Sequence, residues 1–170
     1  MVKYFIALLV VVAFAAPAFA QDVPQFEITL GYANINFAGA RHSGFASYQT
    51  INLNSWLGFD NYLGYYSLGT DPTYGKAHLI SVVPAAKLTY RAERVEPYFS
   101  AGIGGSSLQF PQSGVGTGNS LTFRYGGGVD VPFKQSFAVK FDLSRFSLHS
   151  NGAWNSGTNF ATGLVIKISQ

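Results

Sequence analysis

Through most of this chain apolar residues recur at every second position. Phe26, Ile28, Leu30 and Tyr32 alternate with Glu27, Thr29, Gly31 and Ala33. Leu57, Phe59, Leu63 and Tyr65 stand opposite Gly58, Asp60, Tyr62 and Gly64. Ile80, Val82, Ala86 and Leu88 oppose Ser81, Val83, Ala85, Lys87 and Thr89. Phe99, Ala101 and Ile103 oppose Tyr98, Ser100, Gly102 and Gly104. Leu121, Phe123, Tyr125, Val129 and Val131 oppose Thr122, Arg124, Gly126, Gly128 and Asp130. Phe137, Val139, Phe141 and Leu143 oppose Ala138, Lys140, Asp142 and Ser144. The last run sets Phe160, Thr162, Leu164, Ile166 and Ile168 against Ala161, Gly163, Val165, Lys167 and Ser169. Period two predicts strands with two unlike environments. A further run, from about Gly44 to Leu53, alternates too weakly for its faces to be assigned.

Three local features modify the pattern. Ile35 and Phe37 fall out of phase after Asn34, which predicts a bulge or the end of the first strand there. Pro84 sits inside the fourth run and cannot donate to a ladder, so a bulge or kink is expected. The connections alternate long and short, with long polar stretches near residues 39–43, 66–76, 105–120 and 146–156. An even-stranded barrel with that rhythm has both termini on one side, short turns toward the periplasm and long loops outward.

Composition then narrows the class. Only 11% of residues are charged and 16% are aromatic, and there is no cysteine. Ordinary soluble domains are roughly a quarter charged. Lys3, the apolar stretch from Phe5 to Ala16, Pro17 and Ala18-Phe19-Ala20 predict a secretory signal peptide over residues 1–20. The mature domain is then residues 21–170, with no apolar run long enough for a membrane helix. Few charges, many aromatics and short alternating runs after an export signal predict an all-β fold. That fold is an eight-stranded antiparallel up-and-down transmembrane β-barrel. The formal charge of +3, or +2 without Lys3, is scattered and does not point to nucleic acid.

Residue type decides which face is inside. The face opposite the large apolar residues carries many glycines and the charges Glu27, Asp60, Lys87, Arg124, Asp130, Lys140, Asp142 and Lys167, four acids against four bases. A crowded eight-stranded interior favours small side chains and compensating ion pairs. The polar face is therefore expected inside, as a packed charge network, with the aliphatic face against outer-membrane lipid. Trp56, Tyr90 and Phe133 near short turns, and Tyr65, Tyr66 and Phe160 near loops, are expected to form aromatic girdles. Closure should pair the first and last strands, with ion pairs Glu27–Lys167, Asp60–Lys87 and Asp130–Lys140.

Four stretches, 56–60, 96–104, 126–131 and 161–168, give the chain a resemblance to the eight-stranded OmpA-like outer membrane β-barrel family over essentially residues 21–170. In such families the last strand carries an assembly signal, and Gly163, Ile166 and Ile168 match it. The resemblance implies the barrel-assembly machinery as a partner during insertion, a monomer, and no cofactor. The chain ends Ser169-Gln170 in place of the usual terminal aromatic, and no peptidoglycan-binding domain is expected after the barrel.

Three function classes follow. The first is a non-enzymatic barrel that supports surface loops, whose ligand the sequence does not name, or the membrane itself. The others are a narrow pore for small solutes or ions, and a soluble exported barrel that binds lipid. An enzyme is a further alternative, because His149-Ser150-Asn151 resembles the His-x-Ser-Asn signature of lipid A deacylases. Here, however, His and Ser are adjacent and point to opposite faces, and no Asp or Glu follows Asp142. Ala101-Gly102-Ile103-Gly104-Gly105 lacks the following helix of a nucleotide loop, and Asp71 alone is a poor cation site. No catalytic or metal residue is assigned.

Overall fold

The computed structural model describes residues 23–37, 39–71, 75–110, 118–150 and 152–168. The expected signal peptide, Asn151 and the middle of the longest connection lie outside them. Eight strands form one closed barrel: β1 (Phe26–Phe37), β2 (Ala40–Asn52), β3 (Leu57–Asp71), β4 (Gly75–Thr89), β5 (Glu96–Gln109), β6 (Gly118–Lys134), β7 (Phe137–Ser150) and β8 (Ala153–Ile168). Each strand pairs antiparallel with its sequence neighbours, and β1 pairs with β8. No strand edge is left open. The end that holds both termini is called lower here.

Burial is inverted relative to a water-soluble protein. Glu27, Lys87 and Arg124 are each 1% exposed, while Leu30 is 62% and Phe45 71% exposed. Closure aims alternate residues into the lumen, so charges and glycines enter and the aliphatic residues form the outer wall. The lumen face holds every one of the eight charges expected there, though Lys167 is only partly buried.

The seam shows why small residues line it. Glu27 stands opposite Lys167 and Gly31 opposite Gly163. A Cβ added at Gly31 would lie 2.6 Å from the Gly163 Cα and closer still to the Thr162 carbonyl. The two backbones approach too closely there for any side chain.

Several expectations are corrected. β1 neither bulges nor ends near Asn34, since its registers with β2 and β8 run unbroken to the strand's upper end. Ile35 keeps the inward phase of Glu27 and is fully buried. The interior around Ile35 is apolar and aromatic, so the contrast between faces disappears there without any shift of backbone. Pro84 causes no bulge. It points outward, and the β4–β5 register continues unchanged across the gap it leaves at residues 83–84. The irregularity in this hairpin is instead in β3, at Ser67/Gly69, where Gly69 has a φ of 92°. Tyr66 belongs to no girdle, because it has the inward phase of Tyr62 and is fully buried.

The upper connections are also shorter than expected. The strands continue pairing through Arg41–Ser43, Ser67–Asp71, Ser106–Gln109 and Phe146–Ser150. The upper connections are thereby reduced to residues 38–39, 72–74, 110–117 and 151–152. Backbone hydrogen bonds carry the ladder above the apolar belt, where the outer face turns polar and sequence contrast is lost. β2 resolves likewise: Ala46, Tyr48 and Thr50 point inward, while Ser47 and Gln49 interrupt its outer wall. Gln49 donates to Ser47 Oγ at 2.6 Å and accepts from Asn61 at 3.0 Å, which explains the weak alternation.

The face assignment predicts asymmetric tolerance. Phe141→Arg, on the outer wall at mid-strand, should cost about 2–4 kcal/mol in urea unfolding from lipid vesicles, whereas Phe141→Leu should cost less than half of that.

Candidate functional site: a charged plug across the lumen

The lower interior is one chain of alternating charge. Lys167 Nζ lies 2.7 Å from Glu96 Oε1, and Glu96 Oε2 lies 3.2 Å from Arg91. Arg91 also reaches Glu27 Oε1 at 3.2 Å, and Glu27 Oε2 lies 3.3 Å from Lys87. Lys87 bridges to Asp130 at 3.4 Å, and Lys140 Nζ closes the chain 2.8 Å from Asp130 Oδ1. These seven groups come from β1, β4 and the turn after it, β5, β6, β7 and β8, so the chain crosses the lumen. The side chains of Glu27, Lys87, Asp130 and Lys140 are at most 2% exposed.

A second unit sits beside it. Arg124 Nη2 donates to both oxygens of Asp142 at 2.8 Å, and Nη1 donates to Ser100 Oγ at 2.9 Å. Tyr98 and Ser144 also donate to Asp142. Arg124 lies over the ring of Tyr62 at 4.7 Å, and Lys140 over Tyr98 at 4.0 Å. Asp60 accepts from Thr50 Oγ1 at 2.8 Å. Counting all members, five acids face five bases, and the buried charge cancels. Removing ions from water costs several kcal/mol each, so such a cluster persists only when each charge is met by an opposite charge or a donor.

Above the charges the lumen fills with rings. Tyr48 meets Tyr62 edge-on at 5.1 Å, and Tyr62 meets Phe146 at 5.3 Å, joining β2 and β3 to β7 across the barrel. The hydroxyls of Tyr62 and Tyr66 are hydrogen-bonded, and Tyr66 donates to Asn159 Oδ1 at 2.7 Å. Ile35, Leu79, Val83 and Leu148 pack around them.

The expected ion pairs are only partly realised. Asp130–Lys140 is formed, between residues directly opposite in the ladder. Glu27 and Lys167 are opposite as expected, but each takes another partner, Lys87 and Arg91 for Glu27 and Glu96 for Lys167. Lys87 likewise turns to Glu27 and Asp130 in place of Asp60. The lumen is narrow enough for a lysine to reach another wall, so ladder position does not fix the partner. Arg91 and Glu96 are members beyond the eight charges expected inside. The available signal was the phase of Glu96, which continues that of Tyr98 and Ser100.

The remaining candidates are placed as follows. Gly163 faces the lumen at the seam, and Ile166 and Ile168 face outward. His149 packs on the Trp154 ring at 4.8 Å, and Tyr65 bonds His78 Nδ1 at 2.9 Å. Among the described residues no three His, Cys, Asp or Glu side chains are grouped to hold a metal ion.

A family model described as "Outer membrane protein beta-barrel domain" matches residues 6–167. No curated protein is significantly similar to the chain. Among solved structures it is similar to Neisserial surface protein A, with a TM-score of 0.67 and 14% identity, covering 84% of this chain and 96% of that one. It is also similar to the N-terminal β-barrel domain of OprF from Pseudomonas aeruginosa, with a TM-score of 0.55 and 16% identity over 86% and 100% of the two chains. Ail of Yersinia pestis gives a TM-score of 0.55 and 18% identity over 85% and 99%. At these identities the structures speak for the fold alone. The family and these folds together point to the outer membrane of Gram-negative bacteria.

The ion chain makes a stability prediction. Lys87→Met should cost about 3–5 kcal/mol, because it removes the cation between the buried carboxylates of Glu27 and Asp130. In double-mutant cycles read by denaturant unfolding in lipid, Lys167→Met should couple more strongly to Glu96→Gln than to Glu27→Gln.

Proposed function

The chain belongs to the outer membrane protein beta-barrel family, and from that premise we propose that it is a sealed, non-enzymatic integral barrel that displays its upper end at the cell surface. The single observation that supports this reading is the filling of the lumen by side chains from opposing walls, ionic below and aromatic above. A conduit needs a continuous polar path. Here Lys87, Arg124 and Lys140 are committed to carboxylates, and Tyr48, Tyr62 and Phe146 cross the space above them.

The chain reaches its site through the general secretory route, losing residues 1–20, and inserts with both termini toward the periplasm. The end of β8, with Gly163, Ile166 and Ile168, is what the assembly machinery reads. The barrel works as a monomer in outer-membrane lipid and needs no cofactor. His149 and Ser150 are rim residues: His149 is held against Trp154, and no Asp or Glu follows in the sequence to orient it.

Planar-bilayer recording of the refolded protein checks the sealed lumen. The expected trace is free of stable unitary conductance between pH 5 and 8, about the range in which only unperturbed histidines titrate. Reproducible single-channel steps would replace this reading with that of a narrow pore. A parallel gel shift on boiling shows that the recorded material is folded barrel.

A further inference from the structure

The outer wall carries one polar region that the sealed barrel does not use. Arg41, Asn36, Thr158 and Arg145 occupy one continuous row across β2, β1, β8 and β7. All four share the outward phase of their strands. Arg41 and Arg145 are exposed and make no ion pair or side-chain hydrogen bond among the described residues, whereas Arg91 and Arg124 are both paired in the lumen. A hollow of about 440 Å³ opens beside Arg41, lined by Asn34, Asn36, Arg41, Thr158 and Phe160, and Arg145 stands opposite its lining residue Thr158 on the next strand. Three steps across the ladder separate the arginines, or ~14 Å between Cα atoms.

Depth and charge decide what the hollow receives. It opens just above the outward aromatics Tyr32 and Phe45, with Phe160 in its lining and Tyr125 opposite Arg145, which places it at the level of the lipid headgroups. Below the tip of β3 no outward position on any strand is Asp or Glu. The arginines therefore face the bilayer boundary as uncompensated cations, with amide and hydroxyl donors between them. Arginine binds phosphate through paired, charge-assisted hydrogen bonds, and its long stem lets the head rise to the interface. We propose that this hollow binds the phosphate of an outer-leaflet glycolipid, with the guanidinium groups of Arg41 and Arg145 as clamps and the acyl chains lying over Phe160 and Tyr32. The site rests on the outer-membrane placement but not on whether the lumen is sealed.

Native mass spectrometry of the full refolded chain in detergent tests it, with diphosphorylated lipid A as the probe. The expected result is a one-to-one adduct. Arg41→Gln with Arg145→Gln should weaken it at least tenfold, and Lys134→Gln, near the lower turn, should leave it unchanged. Lipid A stripped of both phosphates should bind at least tenfold more weakly. Unheated gel mobility shows that each variant folds. Equal binding of the dephosphorylated lipid, or of the double variant, overturns the proposal. Displacement of the adduct by inorganic phosphate at equal concentration overturns the assignment to a lipid headgroup.

Discussion

Closure is the constraint from which the other features follow. Once β1 pairs with β8, every strand has a hydrogen-bonded neighbour on both sides and no sheet edge meets hydrocarbon. The same closure gathers the inward side chains of all eight strands into a space only about as wide as those side chains. They must fill it, and every charge among them must be answered. The order Lys167–Glu96–Arg91–Glu27–Lys87–Asp130–Lys140 meets that demand by alternation, so each interior member lies between two opposite charges. Register is locked as a result. A slip of one residue at any of these strands would turn a network charge into lipid and a large apolar residue into the lumen.

Much of this was legible because the two faces differ chemically. Glycine and charge on one phase, with leucine, valine and phenylalanine on the other, fixed inside and outside for β3 to β8. The seam register followed from Glu27 and Lys167 lying equally far from their strand ends. Legibility failed where contrast failed. Ile35 and Tyr66 lie in the upper lumen, where the interior is as apolar as the wall, so phase could not be told from composition. Gln49 and Ser47 blurred β2 from the other side, being polar residues on the outer wall that hydrogen-bond to each other.

Partner choice among the charges was beyond the reach of pattern for a different reason. Ladder position sets where a Cα lies, and a long flexible stem decides where its charge goes. Asp130 and Lys140 are opposite and bonded, because no nearer acid competes for Lys140. Lys167 is opposite Glu27 but is drawn to Glu96, while Arg91 and Lys87 take the Glu27 carboxylate. In a flat sheet these alternatives would lie on distant strands. In a closed ring they lie within one side-chain length.

The two ends of the barrel therefore carry different kinds of information. The lower interior is fixed by charge compensation and admits little change, since altering one member leaves its neighbours unanswered. The upper end is largely ladder, with β3, β5, β6 and β7 rising past the aromatic belt before they turn. Side chains there sit on hydrogen-bonded backbone, so any recognition surface they form is positioned by the strands. Arg41 and Arg145 illustrate the division. They share the strand geometry that organises the lumen, but they point away from it, and no carboxylate within the barrel compensates them. Charge is neutralised inside and left unpaired at Arg41 and Arg145 on the upper outer wall.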